Sequence, residues 1–382
     1  MAKAADTRNR DLRLDFFRGL ALWFIFLNHM HYNVLTWATN RNYGFSDATE
    51  IFVFISGYSA AIAYGSAMDR QGFLLAAARI LRRVWQIYVA HLMLFLAFTA
   101  EIAFLALRFD NQMFVEEMNV LTFLDEPHVT LIQALLLKFR PVNMDILPLY
   151  IVLLAAFPLV LWAAMRRPVP VMLGSFVLYL LARRFGWNLP NYPGDAGWFF
   201  NPFAWQVLFV MGAVATRMPE VLVWFGRQFR WLMPLAVAYL VFALWIAVSW
   251  NVPGVDGTVP QWLARLLYPI DKTSLDPMRA LHFLALAYLT AHWVGPNAAF
   301  LSSRLARPLV VCGQHSLAIF CVGTFLSFTG EFVLLEVDGS LATQVAVGCA
   351  GFLLMTLLAA LLGWFKAAEK ASAQRPRLAA AQ

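Results

Sequence analysis

Long apolar stretches recur along almost the whole chain and constrain its fold more than any other feature. Each is about 20 residues long, the length of α-helix that crosses roughly 30 Å of hydrocarbon. Short polar turns rich in Pro, Gly and Arg separate them. The pattern predicts membrane-spanning helices near residues 16–36, 48–66, 87–107, 146–165, 169–185, 203–217, 231–249, 279–295, 308–327 and 341–364. We therefore predict an all-α polytopic membrane protein, a bundle of about ten transmembrane helices.

The composition argues against any substantial water-soluble domain. Hydrophobic residues make up 61% of the chain and charged residues only 13%, whereas soluble proteins are roughly half apolar and a quarter charged. The three cysteines, Cys312, Cys321 and Cys349, all fall in predicted spans and lack metal-ligand spacing. The sequence therefore predicts packing roles for the cysteines and no metal site.

Basic residues are concentrated in one set of the predicted loops, and acidic residues in the other set. Because cytoplasmic loops of membrane proteins accumulate Lys and Arg, the basic set is assigned to the cytoplasm together with both termini. Residues 1–370 then form a single integral membrane domain, and the Ala-rich residues 371–382 are predicted to be a disordered cytoplasmic tail. This topology accounts for the net charge of +7, so no nucleic-acid partner is predicted.

Ionisable residues inside the spans mark candidate chemistry, because charge is expensive to bury in a membrane. In the first span, Arg18 and His29 are eleven residues apart, which places them on one helix face about 16 Å apart along the axis. His31 points away from that face. The second span opens with Asp47 and Glu50, two carboxylates on one helix face at the same non-cytoplasmic level as His29.

These residues suit acid–base chemistry, although each also has a simpler interpretation. A carboxylate beside an imidazole fixes its tautomer and stabilises its protonated form, which a general base needs. The alternatives are that Arg18 is a topological charge and that His29 is a polar contact between helices. The next cytoplasmic loop carries Arg79, Arg82 and Arg83 on one helical face. That face could hold the phosphates of a nucleotide-like donor, or it could contact anionic lipid.

Several segments together resemble a known family. The spacing of Arg18 and His29, followed by Glu50-Ile51-Phe52-Val53-Phe54-Ile55-Ser56-Gly57-Tyr58, resembles the opening of the type-3 membrane acyltransferase superfamily. The resemblance to its OpgC branch rests on Leu14-Asp15-Phe16-Phe17-Arg18-Gly19, Asp145-Ile146-Leu147-Pro148-Leu149-Tyr150, Asn201-Pro202-Phe203-Ala204-Trp205-Gln206 and Gly313-Gln314-His315-Ser316-Leu317. It covers essentially the entire chain.

The resemblance implies a ten-helix acyltransferase of the bacterial inner membrane. It implies transfer of a succinyl group from cytoplasmic succinyl-CoA to hydroxyls of osmoregulated periplasmic glucans, cyclic or linear, without a tightly bound cofactor. The implied partners are acyl-CoA, the periplasmic glucan, membrane lipids and the glucan-synthesis machinery. Arg18 and His29 match the essential Arg and His of the superfamily, and Glu50 occupies its acidic position.

The predicted mechanism places the residues in two groups. His29 accepts the proton of the attacking hydroxyl, and Glu50 or Asp47 orients its ring; a covalent acyl-His29 intermediate is an open variant. Arg18, Arg79, Arg82, Arg83 and His315 are the predicted donor-binding residues. The alternative functions are transfer of an acetyl or other acyl group to another cell-envelope glycan, a polytopic transporter, and a non-catalytic scaffold of glucan synthesis.

The predicted topology can be tested with reporter fusions. A reporter at the C-terminus should be cytoplasmic, and reporters inserted near Asp125 and Asp256 should lie on the opposite side of the membrane, because acidic residues accumulate in those loops. Alkaline phosphatase and fluorescent-protein fusions measure this directly. If all three positions reported the same side, the ten-helix topology would be rejected.

Overall fold

A computed structural model of the chain describes residues 11–194, 196–220 and 231–379. It is about 78% helical, and these residues contain no β-strand, which confirms the all-α class. In chain order the helices are α1 Leu12–Asn28, α2 Ala48–Phe109, α3 Met113–Glu117, α4 Leu121–Asp125, α5 Pro127–Leu135, α6 Ile146–Arg166, α7 Pro168–Phe185, α8 Pro202–Ala215, α9 Leu232–Asn251, α10 Gln261–Leu267, α11 Pro277–Trp293, α12 Arg307–Gln314, α13 Ser316–Phe332 and α14 Leu341–Ala379.

Six helical segments of the described chain are long and apolar enough to cross a membrane. They are α2, α6, α7, α9, α13 with its π-helical extension to Val337, and α14 as far as Ser372. Two predicted spans, 48–66 and 87–107, both fall within α2. Helices α1 and α11 have 17 residues each and α8 has 14, so they are shorter than a full span. The count of ten helices and the cytoplasmic termini stay predictions.

Helix α2 is interrupted at Gly72. A continuous α-helix of its 62 residues would be about 93 Å long, three times the hydrocarbon thickness. Gly72 has φ 81° and ψ 173°, a conformation that only glycine adopts without strain, and this residue divides α2 into limbs 48–71 and 73–109. In the second limb, Phe95 packs edge-to-face against Phe123 and Phe139. The break thus explains how one helix contains two predicted spans.

Contacts divide the chain into two compact units. The first combines the chain up to Ala38 with the chain from Ala291 onward, and the second comprises Thr39–Thr290. In the first unit, α1 packs against α12 and α13, and α14 packs against both of these helices. In the second unit, α2 packs against α6 and α8, and α7 packs against α8.

Each unit contains a reciprocal glycine contact between helix backbones. In the second unit, a Cβ atom at Gly57 would lie 1.9 Å from the carbonyl oxygen of Phe209, and one at Gly212 would lie 2.2 Å from that of Phe54. In the first unit, a Cβ atom at Gly19 would lie 1.9 Å from the carbonyl oxygen of Leu309. Helices approach this closely only where side chains are absent, a common device in membrane proteins.

Helix α14 continues through most of the segment for which the sequence predicts a disordered tail. It includes residues 371–379, while residues 380–382 lie outside the described part of the chain. Alanine is the strongest helix former, so an Ala-rich sequence that follows a membrane helix extends it readily. Low hydrophobicity and Ala-rich composition alone do not distinguish a helical extension from a disordered tail.

The glycine contact in the second unit can be tested by adding one methyl group. We expect Gly57→Ala to lower the free energy of unfolding by about 1–3 kcal/mol, because the added Cβ overlaps the Phe209 backbone and the helices must separate. Thermal unfolding of the purified protein in detergent measures this. Gly174→Ala in α7 is the matched control, since no atom lies within 4 Å of its Cβ position. Equal melting temperatures for the two variants would contradict the contact.

Candidate functional site

The end of α1 carries the first group of candidate residues. Asp11 caps the start of the helix by accepting a hydrogen bond from the Arg13 backbone N–H. At the other end, His29 is the C-cap, with φ −87° and ψ −2°, and its N–H donates to the carbonyl of Ile25 at 3.1 Å. The backbone is therefore helical from Arg18 to His29, as the predicted common face requires. Both side chains are half-buried. The predicted span 16–36 was wrong about the end of this helix, which stops at Asn28.

The residues after His29 are anchored on α13 and α14. Met30 is fully buried, and a Cβ atom at Gly330 would lie 2.5 Å from its sulfur. The Val34 N–H donates to Gln344 at 2.7 Å. Because these contacts fix the chain on the C-terminal side of His29, the position of its backbone is determined from both directions.

His31 forms an ion pair that the sequence does not predict. Its Nδ1 lies 2.6 Å from Oε1 of Glu331 on α13. The Glu331 side chain is only 4% exposed, whereas that of His31 is 53% exposed. Within the described part of the chain, Oε2 of Glu331 is buried and has no hydrogen-bond partner. The pair therefore joins a buried carboxylate to an imidazole that is accessible.

The first unit contains the predicted donor residues Arg18, in α1, and His315, just before α13. Gly19, next to Arg18, contacts the backbone of α12, and a Cβ atom at Gly313 would lie 1.9 Å from the carbonyl oxygen of Asp15. His315 lies between α12 and α13, with Nε2 3.6 Å from the Cβ position of Gly363. The glycine contact thus brings the segments that carry Arg18 and His315 together within one unit.

Asp47 and Glu50 form a capping box at the start of α2. Asp47 accepts a hydrogen bond from the Thr49 N–H at 2.8 Å, and Glu50 accepts one from the Asp47 N–H at 2.9 Å. This motif satisfies backbone N–H groups that no helix carbonyl can reach. It explains locally why the helix begins at Ala48, independently of any catalytic role.

Two cations complete this buried cluster. Arg279 of α11 donates from Nε to Glu50 at 2.8 Å and from Nη2 to Asp47 at 3.2 Å, and Lys272 donates to Asp47 at 2.6 Å. Glu50 is fully buried. Burial alone would raise the pKa of Asp47, but the charges of Lys272 and Arg279 outweigh it and hold that pKa well below its usual range. Each oxygen of the two carboxylates therefore has a partner inside the second unit.

The segment Asn201–Gln206, which carries part of the resemblance, supports this cluster. The Asn201 N–H donates to the carbonyl of Thr273 at 3.0 Å, and the indole N–H of the fully buried Trp205 donates to the carbonyl of Lys272 at 3.0 Å. Gln206 exchanges hydrogen bonds with Ser175 of α7. The segment holds the loop that presents Lys272 to Asp47.

The segment that begins at Asp145 has a comparable structural role. Asp145 precedes α6 and accepts a hydrogen bond from Nε of the buried Arg140 at 2.5 Å. The Arg140 guanidinium also lies over the Trp198 ring, 4.7 Å from its centroid. Burial raises the pKa of Asp145, and the nearby Arg140 charge opposes this increase only in part.

The predicted phosphate-binding arginines lie in the second limb of α2. Arg79 and Arg82 are exposed, while Arg83 is half-buried and donates to the side chain of Gln86 at 3.2 Å. Their neighbours Leu74 and Trp85 are exposed as well. The face is accessible to an anion, and its apolar neighbours also suit a lipid surface.

The structure thus groups the predicted residues by unit: Arg18, His29 and His315 in the first, and Asp47, Glu50, Arg79, Arg82 and Arg83 in the second. The sequence analysis missed His31, Glu331, Lys272 and Arg279 as site residues. Arg279 could have been found, because it lies within the predicted span 279–295. Glu331 lies four residues beyond the predicted end of span 308–327.

Among the described residues, no group of three His, Cys, Asp or Glu could hold a metal ion.

Apolar helices with ionisable residues buried among them define a helical membrane protein with an internal polar site. The sequence model of the family described as "OpgC protein" matches residues 10–367. The chain belongs to this family, as its motifs predict. No curated protein and no solved structure matches the chain. Membership of the family indicates a membrane acyltransferase that acts on glucans.

The importance of Arg279 for the second unit can be measured. We expect Arg279→Met to destabilise the protein by about 3–5 kcal/mol, because it leaves the buried Glu50 carboxylate without its cation. Adding Glu50→Gln should recover part of this loss, since the amide keeps the acceptor for the Asp47 N–H. Thermal unfolding in detergent measures these stability changes, with Arg167→Met, at the exposed residue that follows α6, as the control. If Arg279→Met were as stable as Arg167→Met, the role of this ion pair would be contradicted.

Proposed function

We propose that this chain transfers a succinyl group from cytoplasmic succinyl-CoA to a hydroxyl of an osmoregulated periplasmic glucan, cyclic or linear, in the bacterial inner membrane. The observation that carries the proposal is the match of the OpgC family over residues 10–367. The two imidazoles at the end of α1, that of His29 half-buried and that of His31 53% exposed, support acid–base chemistry there. The succinyl donor, the exact acceptor and the bacterial inner membrane go beyond what family membership indicates.

The proposed reaction begins at His29. Its imidazole removes the proton of a glucan hydroxyl as the oxygen forms a bond to the thioester carbon. The tetrahedral intermediate then collapses, the carbon–sulfur bond breaks, and the CoA thiolate leaves and takes up a proton, while His29 releases the proton that it removed. The products are the glucan ester and free CoA, so the atoms and charges balance. A covalent acyl-His29 intermediate is the variant of this route that burst kinetics would detect.

The donor is proposed to bind through its phosphates and pantetheine arm. Arg79, Arg82 and Arg83 would pair with the phosphates, and the assignment of Arg18 and His315 to donor binding stays a prediction. Exposure of Arg79 and Arg82 supports a role in anion binding. The proposed use of Glu50 or Asp47 to orient His29 stays a prediction, and Lys272 and Arg279 already bind both carboxylates.

Mass measurement of the glucan tests the proposal directly. Purified protein in lipid nanodiscs is incubated with succinyl-CoA and either linear or cyclic β-glucan, and the glucan mass is then measured. Acyl transfer adds the mass of one succinyl group per modified hydroxyl and releases one free thiol. Acetyl-CoA in a parallel reaction separates the donors. A transporter or a non-catalytic scaffold would leave the glucan mass unchanged with every donor.

Substitution of His29 tests its assignment as the base. We expect His29→Gln to lower kcat by a factor of about 10² to 10⁴, because Gln retains size and hydrogen bonding but cannot take up a proton. Initial rates of thiol release at saturating donor give kcat, and gel filtration confirms folding. His128→Gln is the control, since this side chain is exposed on α5. Full activity of folded His29→Gln protein would show that another group removes the proton.

A further inference from the structure

The His31–Glu331 pair of the first unit joins a buried carboxylate to an exposed imidazole, and the proposed reaction does not use it. Glu331 lies in a segment that is apolar and long enough to cross a membrane, and its side chain is almost fully buried. Burying a carboxylate in such a segment is unfavourable unless a partner compensates it. His31 is that partner, with a distance of 2.6 Å between Nδ1 and Oε1.

Anchoring of the chain does not account for this pair. Met30, the preceding residue, is already fully buried against Gly330, the residue before Glu331. A few residues later, the Val34 N–H donates to Gln344, and Leu35 packs against Gly348. Neutral contacts therefore hold the same segment on the same helices. A buried carboxylate adds an expensive charge to an attachment that apolar and neutral polar groups already provide.

The geometry instead fits an imidazole that exchanges protons. When Nδ1 carries the hydrogen that is donated to a carboxylate, the proton-exchanging position of the ring is Nε2. The His31 side chain is 53% exposed, so a reactant can reach it.

We propose that Glu331 is a positioning residue for acyl transfer and acts through His31, which serves as a second acid–base residue. This inference rests on the proposed function. Acyl transfer from a thioester has two proton transfers, one from the hydroxyl and one to the thiolate. His29 removes the first proton as the carbon–oxygen bond forms. His31, protonated beside Glu331, donates the second to the CoA thiolate as the carbon–sulfur bond breaks. The proton held by His29 then returns through water to His31, and both rings regain their starting states.

Paired variants and two donors test this assignment. We expect His31→Gln and Glu331→Gln each to lower kcat with succinyl-CoA at least about tenfold with little change in KM, and the double variant to be no slower than the slower single variant, because the residues act as a unit. Glu331→Asp keeps the charge and should retain part of the activity. Rates are normalised to protein that elutes as a single folded species, and His128→Gln is again the control.

The second donor separates a chemical role from a structural one. A succinyl thioester of an acidic aryl thiol has a leaving group that needs no proton. It should therefore react nearly as fast with the His31 and Glu331 variants as with the unchanged protein, whereas His29→Gln should remain slow with both donors. A variant that is merely misfolded loses activity with both donors, and that result would overturn the role of the pair. Folded His31→Gln and Glu331→Gln proteins with full kcat for succinyl-CoA would overturn it as well. Unchanged protein that transfers no succinyl group would overturn the proposed function instead.

Discussion

Direct contact between helix backbones at paired glycines is the interaction on which both units depend. Lipid tails are as apolar as leucine side chains, so apolar residues alone do not drive helices together inside a membrane. Close packing supplies the attraction instead, and Gly57 with Gly212 and Gly19 with Gly313 make it possible. These contacts also position functional groups. Gly19 follows Arg18 on α1, and Gly57 lies two turns after Glu50 on α2, so each unit has a close backbone contact near a candidate residue.

Each unit buries a glutamate, and the residue paired with that glutamate differs in whether it can exchange protons. Glu50 is paired with Arg279, whose guanidinium is always charged and does not exchange protons. Glu331 is paired with His31, whose imidazole belongs to a class of side chain that can act as an acid or a base. The first arrangement suits a structural link between α2 and α11. The second suits chemistry, because the same desolvation cost is compensated by a group that can take part in a reaction.

Hydropathy predicted the positions of individual helices well, but sequence could not predict how they pair. The spans 146–165, 169–185 and 231–249 agree with α6, α7 and α9 to within two residues at each end, because apolar length is a local property. The early end of α1 and the break at Gly72 depend on backbone conformation that hydropathy does not report. The ion pairs of Glu50 with Arg279 and of His31 with Glu331 join residues 229 and 300 positions apart, and no local pattern predicts such contacts.

Motifs that identify a family need not be the ones that perform its chemistry. Asn201 and Trp205 bond to the backbone of residues 272 and 273, and Asp145 neutralises the buried Arg140. These residues support loops and helix starts, so their contacts are explained by packing. The segment His29-Met30-His31 has a different arrangement, in which a fully buried methionine fixes the backbone between two imidazoles that are only partly buried. A purely structural segment gains nothing from a partly buried imidazole on each side of its anchor. A reaction with two proton transfers does gain from them, and this is the physical reason for placing the chemistry at the end of α1.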